Sequence, residues 1–385
     1  MRRRGIYPAL LATGLLFWAS TACSKKSDPW KGRIEITGGI QIAHNPRDPI
    51  STVGVLSLKA DLTLGQESTQ PGAVTFHNLL PYGCVDTDAE GNMYVLDEGA
   101  YTVFSFDAQG RHVNSFGRKG QGPGEFRGPA CLKIMSDGMI EIVDSASRKL
   151  LKFSRDGTLL KEESLVDFPE FARPAVDDAG GIVAMTTEFG PRVKLSLIRI
   201  PADLKTAVRF ADAETRPFFD GSKLNIFFPQ FEFTVSTRGH VIWGFQDNYL
   251  VTVSGLDGRV VRKIAKDYDP VVLTEAAVQE RLKRIFAGRT APLNFEIVRP
   301  PSYWPFYGLI ADEKGRLMAR TPEKTADGKA FHDVFDERGR FLGRIPLSGD
   351  PVLWKNGYLF IVEEDPETGQ AIRRYRVEWN PGLGL

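Results

Sequence analysis

Two stretches of this chain repeat each other without a gap. Residues 84–97 read CVDTDAEGNMYVLD and residues 131–144 read CLKIMSDGMIEIVD, in register on Gly91 and Gly138, each with an aspartate six residues after the glycine. A second strand pair with its own turn follows each. TVFSFDAQGRHVNSFG turns at Asp107–Gly110, and LLKFSRDGTLLKEESL turns at Asp156–Gly157. The unit therefore reads strand, turn, strand, connection, strand, turn, strand. Aspartate hydrogen-bonds its own backbone in such turns and glycine supplies positive φ. The runs between alternate, or are β-branched and aromatic, as half-buried strands are.

The first turn recurs with decay at Gly181, Gly239, Gly315 and Gly357, and the second at Asp257–Gly258 and Asp336–Gly339. Successive first-turn glycines lie 47, 43, 58, 76 and 42 residues apart. The short steps match a four-stranded propeller blade of about 40–50 residues. The two long steps require insertions, placed near residues 212–226 and 267–300. In the second, TEAAVQERLKRIFAG reads as a helix capped by Thr274, with Ala277, Val278, Leu282 and Ile285 on one face. Six turns give six units, and the last ends at IRRYRVEW (372–379) without a fourth strand. VGVLSLKADLTLG (53–65) carries strand patterning ahead of the first unit. The expected fold is all-β: a six-bladed propeller of four-stranded antiparallel blades, its last blade closed by residues 53–62 pairing with 371–379. Closure removes the long exposed edges of an open array.

FGRKGQGPGEF (116–126) has the glycine density of a phosphate-binding loop. A dinucleotide loop must follow a strand and open a helix. Here Arg127-Gly128-Pro129 and another strand follow, and there is no G-K-[ST]. The glycines read as the crossing from the outer strand of one blade to the inner strand of the next. The FGxxGxGPGEFxxP string, followed by a strand, a glycine turn and a YVxD-like strand, resembles an NHL-type repeat. The whole resembles bacterial six-bladed propeller proteins. The strong motif spans residues 76–165, and the later units fit by turn spacing alone.

MRRR followed by GIYPALLATGLLFWAS has the basic and apolar regions of a signal peptide, too short for a spanning helix. Cleavage after Ala22 would expose Cys23, and Ser20-Thr21-Ala22-Cys23 resembles a bacterial lipobox, departing from it at Ser20. The resemblance implies lipid on Cys23, a polar tether over residues 23–31 and, from Ser24, the outer membrane, facing the periplasm or the cell surface. The domain expectation is a signal peptide over 1–22, the tether over 23–31, and one propeller over 32–385. Loss of Arg2, Arg3 and Arg4 takes the net charge from +1 to −2, which leaves no electrostatic footprint for nucleic acid.

The histidines, His44, His77, His112, His240 and His332, show no zinc-ligand spacing. They read as surface or satisfied residues, with His77 alone preceding an innermost strand near the channel mouth. Asp97 and Asp144 end equivalent strands, as turn caps or as oxygen ligands for Ca²⁺. The equivalent positions Thr187, Phe245, Thr321 and Glu363 break the ring. Cys84 and Cys131 occupy matched positions on neighbouring inner strands, bridged or buried as free thiols. Aromatics and prolines cluster before inner strands in FPEFARP (168–174), FFPQFEF (227–233) and PPSYWPFYG (300–308). With Arg127 these connections are expected on one face, where loops on a rigid scaffold carry function. Arg127, Arg173, Tyr303 and Trp304 are the ligand-binding candidates, with blade packing the competing role.

The functional expectation is a non-catalytic, lipid-anchored, monomeric binding module for a protein, peptide or glycan, without a cofactor. A second reading is a metal-dependent enzyme, since lactone hydrolases and the peptide-amidating lyase are propellers similar to this one. Their metal-binding residues have no matching set here. A third is a purely structural scaffold.

Overall fold

The computed structural model describes residues 29–52, 54–65, 73–286, 295–365 and 369–383. The signal peptide, Cys23 and most of the tether lie outside them. The first repeat forms four antiparallel strands, Val85–Thr87, Met93–Asp97, Thr102–Phe106 and His112–Phe116. The second forms Pro129–Ile134, Ile140–Asp144, Lys149–Phe153 and Leu159–Ser164. The third comprises Phe171–Val176, Ile182–Glu188, Val193–Ile200 and Val208–Thr215. Phe231–Ser236, His240–Phe245, Leu250–Gly255 and Val260–Lys266 make the fourth, and Leu309–Ala311, Leu317–Lys324, Ala330–Phe335 and Phe341–Leu347 the fifth.

The sixth sheet joins the two ends of the chain. Asp350–Lys355, Tyr358–Asp365 and Gly369–Trp379 are completed by Leu56–Gly65, antiparallel to Gly369–Trp379, with Trp379 opposite Leu56, Tyr375 opposite Ala60 and Ala371 opposite Gly65. Each innermost strand touches the innermost strands before and after it, and Asp350–Lys355 returns to Val85–Thr87. The chain is a closed six-bladed β-propeller.

Turn chemistry sets the register. Asp107, Asp312 and Asp336 each accept two backbone N–H bonds inside their turn and pair with the arginine four residues on, Arg111, Arg316 and Arg340. In the third blade the residue with positive φ is Gly180, at +74°, rather than Gly181. Apolar faces of neighbouring blades meet in separate cores. One holds Tyr94, Leu96 and Phe126 of the first connection against Ile140, Ile142 and Phe153.

An N-terminal hairpin departs from the simple four-stranded plan. Arg33–Thr37 and Ile40–Asn45 widen the fourth sheet to six strands, Ile40–Asn45 running parallel to Val260–Lys266. From there the chain crosses the fifth blade, where Ile50 and Ser51 donate backbone bonds to Phe341 and Leu342, and reaches the sixth as Leu56–Gly65. Asn45 pins this belt. Its amide donates to the carbonyls of Gly339 (2.9 Å) and Ala265 (3.1 Å), and its oxygen accepts from the N–H of Phe341 at 2.7 Å and the indole of Trp30 at 3.0 Å.

The two insertions pack together. Glu275–Ile285 is a helix whose Thr274 accepts from the Ala277 N–H. Phe219–Asp220 pairs with Lys223–Asn225, which runs parallel to Glu296–Val298. Residues 212–215 belong to the outer strand of the third blade, so the first insertion starts after Thr215. Among the described residues no helix is long and apolar enough to cross a membrane.

Candidate functional site

Several motifs resolve into scaffold. In FGRKGQGPGEF, Gly117 has φ +89° and a Cβ there would fall 2.3 Å from the ring of Phe126, which is fully buried. Glu125 folds back to accept from Gly122 N–H (2.8 Å) and Arg118 (2.7 Å). The next element is the strand Pro129–Ile134, so no helix N-terminus faces this loop.

Asp97 and Asp144 carry out the same task in successive blades. Asp97 accepts from the N–H groups of His77 (2.7 Å), Asn78 (2.9 Å) and Ala100 (3.1 Å). Asp144 accepts from those of Arg127 (2.6 Å), Gly128 (3.2 Å) and Ser147 (2.8 Å). Each buried carboxylate ties the incoming connection to the turn that follows it. The exposed His77 ring stands 3.5 Å from Asp97. Among the described residues no three His, Cys, Asp or Glu gather to hold a metal ion.

Cys84 and Cys131 are buried free thiols. Cys84 packs with Leu64, Phe76 and Phe360, Cys131 with Val143, Leu150 and Ile182, so the two belong to different cores. Burial pushes both thiols up to about 12.

Blade topology gathers side chains at the face where connections enter the inner strands. A cavity of about 340 Å³ opens there. It takes Tyr82 from before the first blade, Arg173 from the third, Glu232 and Phe233 from the fourth, Tyr307 from before the fifth and Asp350 from the sixth. Four of the six inner strands, the fifth blade's through Leu309 and Ile310, and the connection into the first blade thus contribute. A second hollow of about 300 Å³ adjoins it, sharing Gln230, Glu232, Tyr307 and Arg320, and extends to the inserted helix past Trp304, Tyr303, Phe228 and Arg281.

A bulge aims Arg173 into this cleft. Strand register shifts between Ala172 and Ala175, and Arg173 has φ +55°, a conformation L-residues adopt at some cost. Its guanidinium meets both oxygens of buried Glu232, at 3.2 and 2.5 Å, and lies 5.6 Å from the ring of Tyr82 and 5.7 Å from that of Phe233. Such a planar, bidentate and stacked arrangement suits arginine and not lysine. Across the cavity Arg320 pairs with Asp350. Burial raises the phenols of Tyr82 and Tyr307, the latter to about 12. Both remain neutral hydrogen-bonding groups.

His332 completes the lining. It sits on Ala330–Phe335 opposite Arg320 and is 1% exposed. Nδ1 lies 3.2 Å from the Ala330 carbonyl, which only accepts, so Nδ1 carries the proton. Burial lowers the imidazole to about 4. Nε2 is therefore a bare acceptor; it has no hydrogen-bond partner among the described residues and, with less than 1 Å² accessible, is closed off from the cavity. Buried polar atoms in folded proteins are overwhelmingly satisfied.

Of the residues singled out from the sequence, Arg173 lines the first cavity and Tyr303 and Trp304 the second. Arg127 is exposed and lines neither; its backbone serves Asp144. Sequence reading passed over Glu232, Arg320 and Tyr307, and read His332 only as a surface or satisfied histidine. The FFPQFEF and PPSYWPFYG clusters that contain Glu232 and Tyr307 marked the region, but no spacing signal marks Arg320 or His332.

Residues 87–178, the greater part of the first two blades, match the family DUF5128, described as a 6-bladed β-propeller. None of the curated proteins matches the chain. Among solved structures, the chain is similar to a Bacteroides fragilis protein inferred to be exported, with 12% identity and a TM-score of 0.54 over 88% of this chain and 99% of that one. It is also similar to a DUF4221 family member from Bacteroides vulgatus, with 11% identity and a TM-score of 0.50 over 84% and 99%. At such identities the likeness concerns the fold.

Proposed function

We propose that this propeller is an exported, non-catalytic binding module, held to the membrane by lipid on Cys23, that takes its ligand in the cleft at the channel mouth. One observation carries the reading: inner strands of four blades and the connection into a fifth converge on a cavity of about 340 Å³, into which a strand bulge turns Arg173. Connecting loops on a rigid scaffold are where binding residues concentrate, and the cavity volume falls within the ligand-site range of about 300–1,000 Å³. Binding is favoured over catalysis by His332 itself. An efficient general base titrates near the working pH, whereas this imidazole, lowered to about 4, is a weak base at neutrality. The likeness to an inferred exported protein and the basic-apolar start of the chain support export.

Photocrosslinking in producing cells tests the site. Benzoylphenylalanine in place of Trp304 is expected to capture a ligand, and the same group in place of exposed Val113 on an outer strand is not. Equal capture, or none at Trp304, would contradict the reading. Mass spectrometry of the membrane fraction tests the anchor: the expected N-terminus is an acylated Cys23, and an unmodified one would refute it.

A further inference from the structure

We infer that the ligand of this cleft is a small organic oxyanion, a carboxylate or phosphate joined to an apolar ring, seated in the second hollow between the inserted helix and the fifth blade. The inference rests on the cleft being the binding site and adds the chemistry of its occupant. Three carboxylates line the two hollows, and each already meets an arginine of the same walls: Glu232 meets Arg173, Glu280 meets Arg284 and Asp350 meets Arg320. Two cations remain. Arg281 and Lys324 line the second hollow, and neither pairs with a carboxylate among the described residues. Both are exposed, so an incoming group can meet them. The excess is local, because with Arg2, Arg3 and Arg4 removed the chain as a whole falls from +1 to −2.

Helix geometry directs Arg281. Ala277, Glu280, Arg281 and Arg284 follow one another at i, i+3, i+4 and i+7, the spacing of a single helix face, and that face forms one wall. The Arg281 Nε donates to the Ile226 carbonyl at 3.1 Å, and the guanidinium lies 5.6 Å from the ring of Phe227. Its plane is thereby held. The edge carrying its two terminal nitrogens makes no hydrogen bond among the described residues. That edge is the fork that grips an oxyanion through two parallel bonds. Lys324, at the end of the second strand of the fifth blade, adds a point charge. Beside these cations stand the rings of Trp304, Tyr303 and Phe228, broad apolar surface of low rotor count. A ring joined to an oxyanion meets both. A cation would add to the surplus charge, and a neutral molecule would leave the Arg281 fork unused.

Titration calorimetry on the whole chain without residues 1–22 tests this with a matched series of probes. Indole-3-acetate and phenyl phosphate carry ring and oxyanion, the amide of indole-3-acetate is neutral, tryptamine is a cation, and acetate and inorganic phosphate lack the ring. A ring-bearing oxyanion is expected to bind at least about tenfold more tightly than the amide, tryptamine or either ringless anion, and whichever of the two leads names the oxyanion. Arg281→Gln and Lys324→Gln should each weaken that binding about threefold, Arg281→Lys less than Arg281→Gln, and Arg127→Gln, outside both hollows, not at all. Preferential binding of the amide or tryptamine, lost in Trp304→Ala, would overturn the charge and leave the site standing. Acetate or phosphate bound as tightly as the ring-bearing anions would overturn the apolar half of the inference. Oxyanion binding indifferent to the Arg281, Lys324 and Trp304 changes would overturn the site as well. Binding of none of the probes overturns the inference.

Discussion

The ammonium of Lys355, on the innermost strand of the last blade, lies 2.7 Å from Oδ1 of Asp86 on the innermost strand of the first. The other carboxylate oxygen of Asp86 accepts from the Ile134 N–H at 2.9 Å and faces Lys133 of the second blade at 3.6 Å. Lys133 in turn reaches Asp178 beyond the third inner strand at 2.7 Å. The join of the ring is thus reinforced by charge as well as by the strand Leu56–Gly65. Removing one partner of a buried pair strands the other charge, at a cost of about 3–5 kcal/mol. Lys355→Met is expected near the lower end, because Lys133 remains; urea unfolding measures it. Burial raises the Asp86 carboxyl, but the charges of Lys133 and Lys355 outweigh it and hold it below the ordinary value of 3.8. This stabilisation is present above the unfolded-state pKa and is lost as pH falls through the lower folded one. Acid unfolding below about pH 4 should therefore be shallower in Asp86→Asn.

His332 gives a slope of its own at milder pH. Its folded pKa is about 4 against an ordinary 6.5, so between those values the unfolded chain binds the extra proton. Stability is then full above pH 6.5 and declines as pH falls toward 4, by roughly 3 kcal/mol at most. His332→Phe should remove that part of the pH dependence, leaving a flatter stability curve between pH 4 and 6.5. An unchanged slope would place a proton on this ring in the folded state.

The glycine-rich connection separates scaffold from ligand loop by mutation. Gly117→Ala forces a Cβ into the Phe126 ring from a left-handed backbone and should cost about 2 kcal/mol or more. Gly122 lacks positive φ, and its nearest neighbour is the flexible end of Glu125 at 3.1 Å, so Gly122→Ala should stay within about 1 kcal/mol. Neither change should alter binding in the cleft.

Much of this architecture is legible in the chain. Glycine turns recurring 42 to 76 residues apart, most of them with an aspartate, declare the blades because such a turn needs a left-handed residue and gains from a side-chain acceptor. The strand pattern ahead of the first unit foretells closure, displaced only slightly, to residues 56–65 from 53–62. The hairpin Arg33–Asn45 is not legible in the same way. Every residue of Arg33–Thr37 is exposed, so no buried face imposes an alternation, and Ile40–Asn45 pairs in parallel with a strand more than two hundred residues away. His332 is hidden for another reason. The five histidines show no zinc-ligand spacing and read as surface or satisfied residues, so nothing sets apart the one buried on the third strand of the fifth blade opposite Arg320.

Asn45 shows how that hairpin is held. Asn45→Leu would leave the Phe341 N–H and two carbonyls without their present partner, and an unsatisfied buried group costs about 1–3 kcal/mol. A loss of about 3 kcal/mol in denaturant unfolding is expected, together with faster hydrogen exchange along residues 33–45 and 341–347. Local exchange confined to the hairpin would mean that the belt does not support the fifth blade.

Nitrogen-15 resonances of selectively labelled histidine test the account at its centre. One imidazole, identified by its disappearance in His332→Phe, should remain the neutral Nδ1–H tautomer from neutral pH down to about pH 5. An imidazole already protonated at pH 6 would contradict the claim that this ring lies buried and neutral beside the cleft.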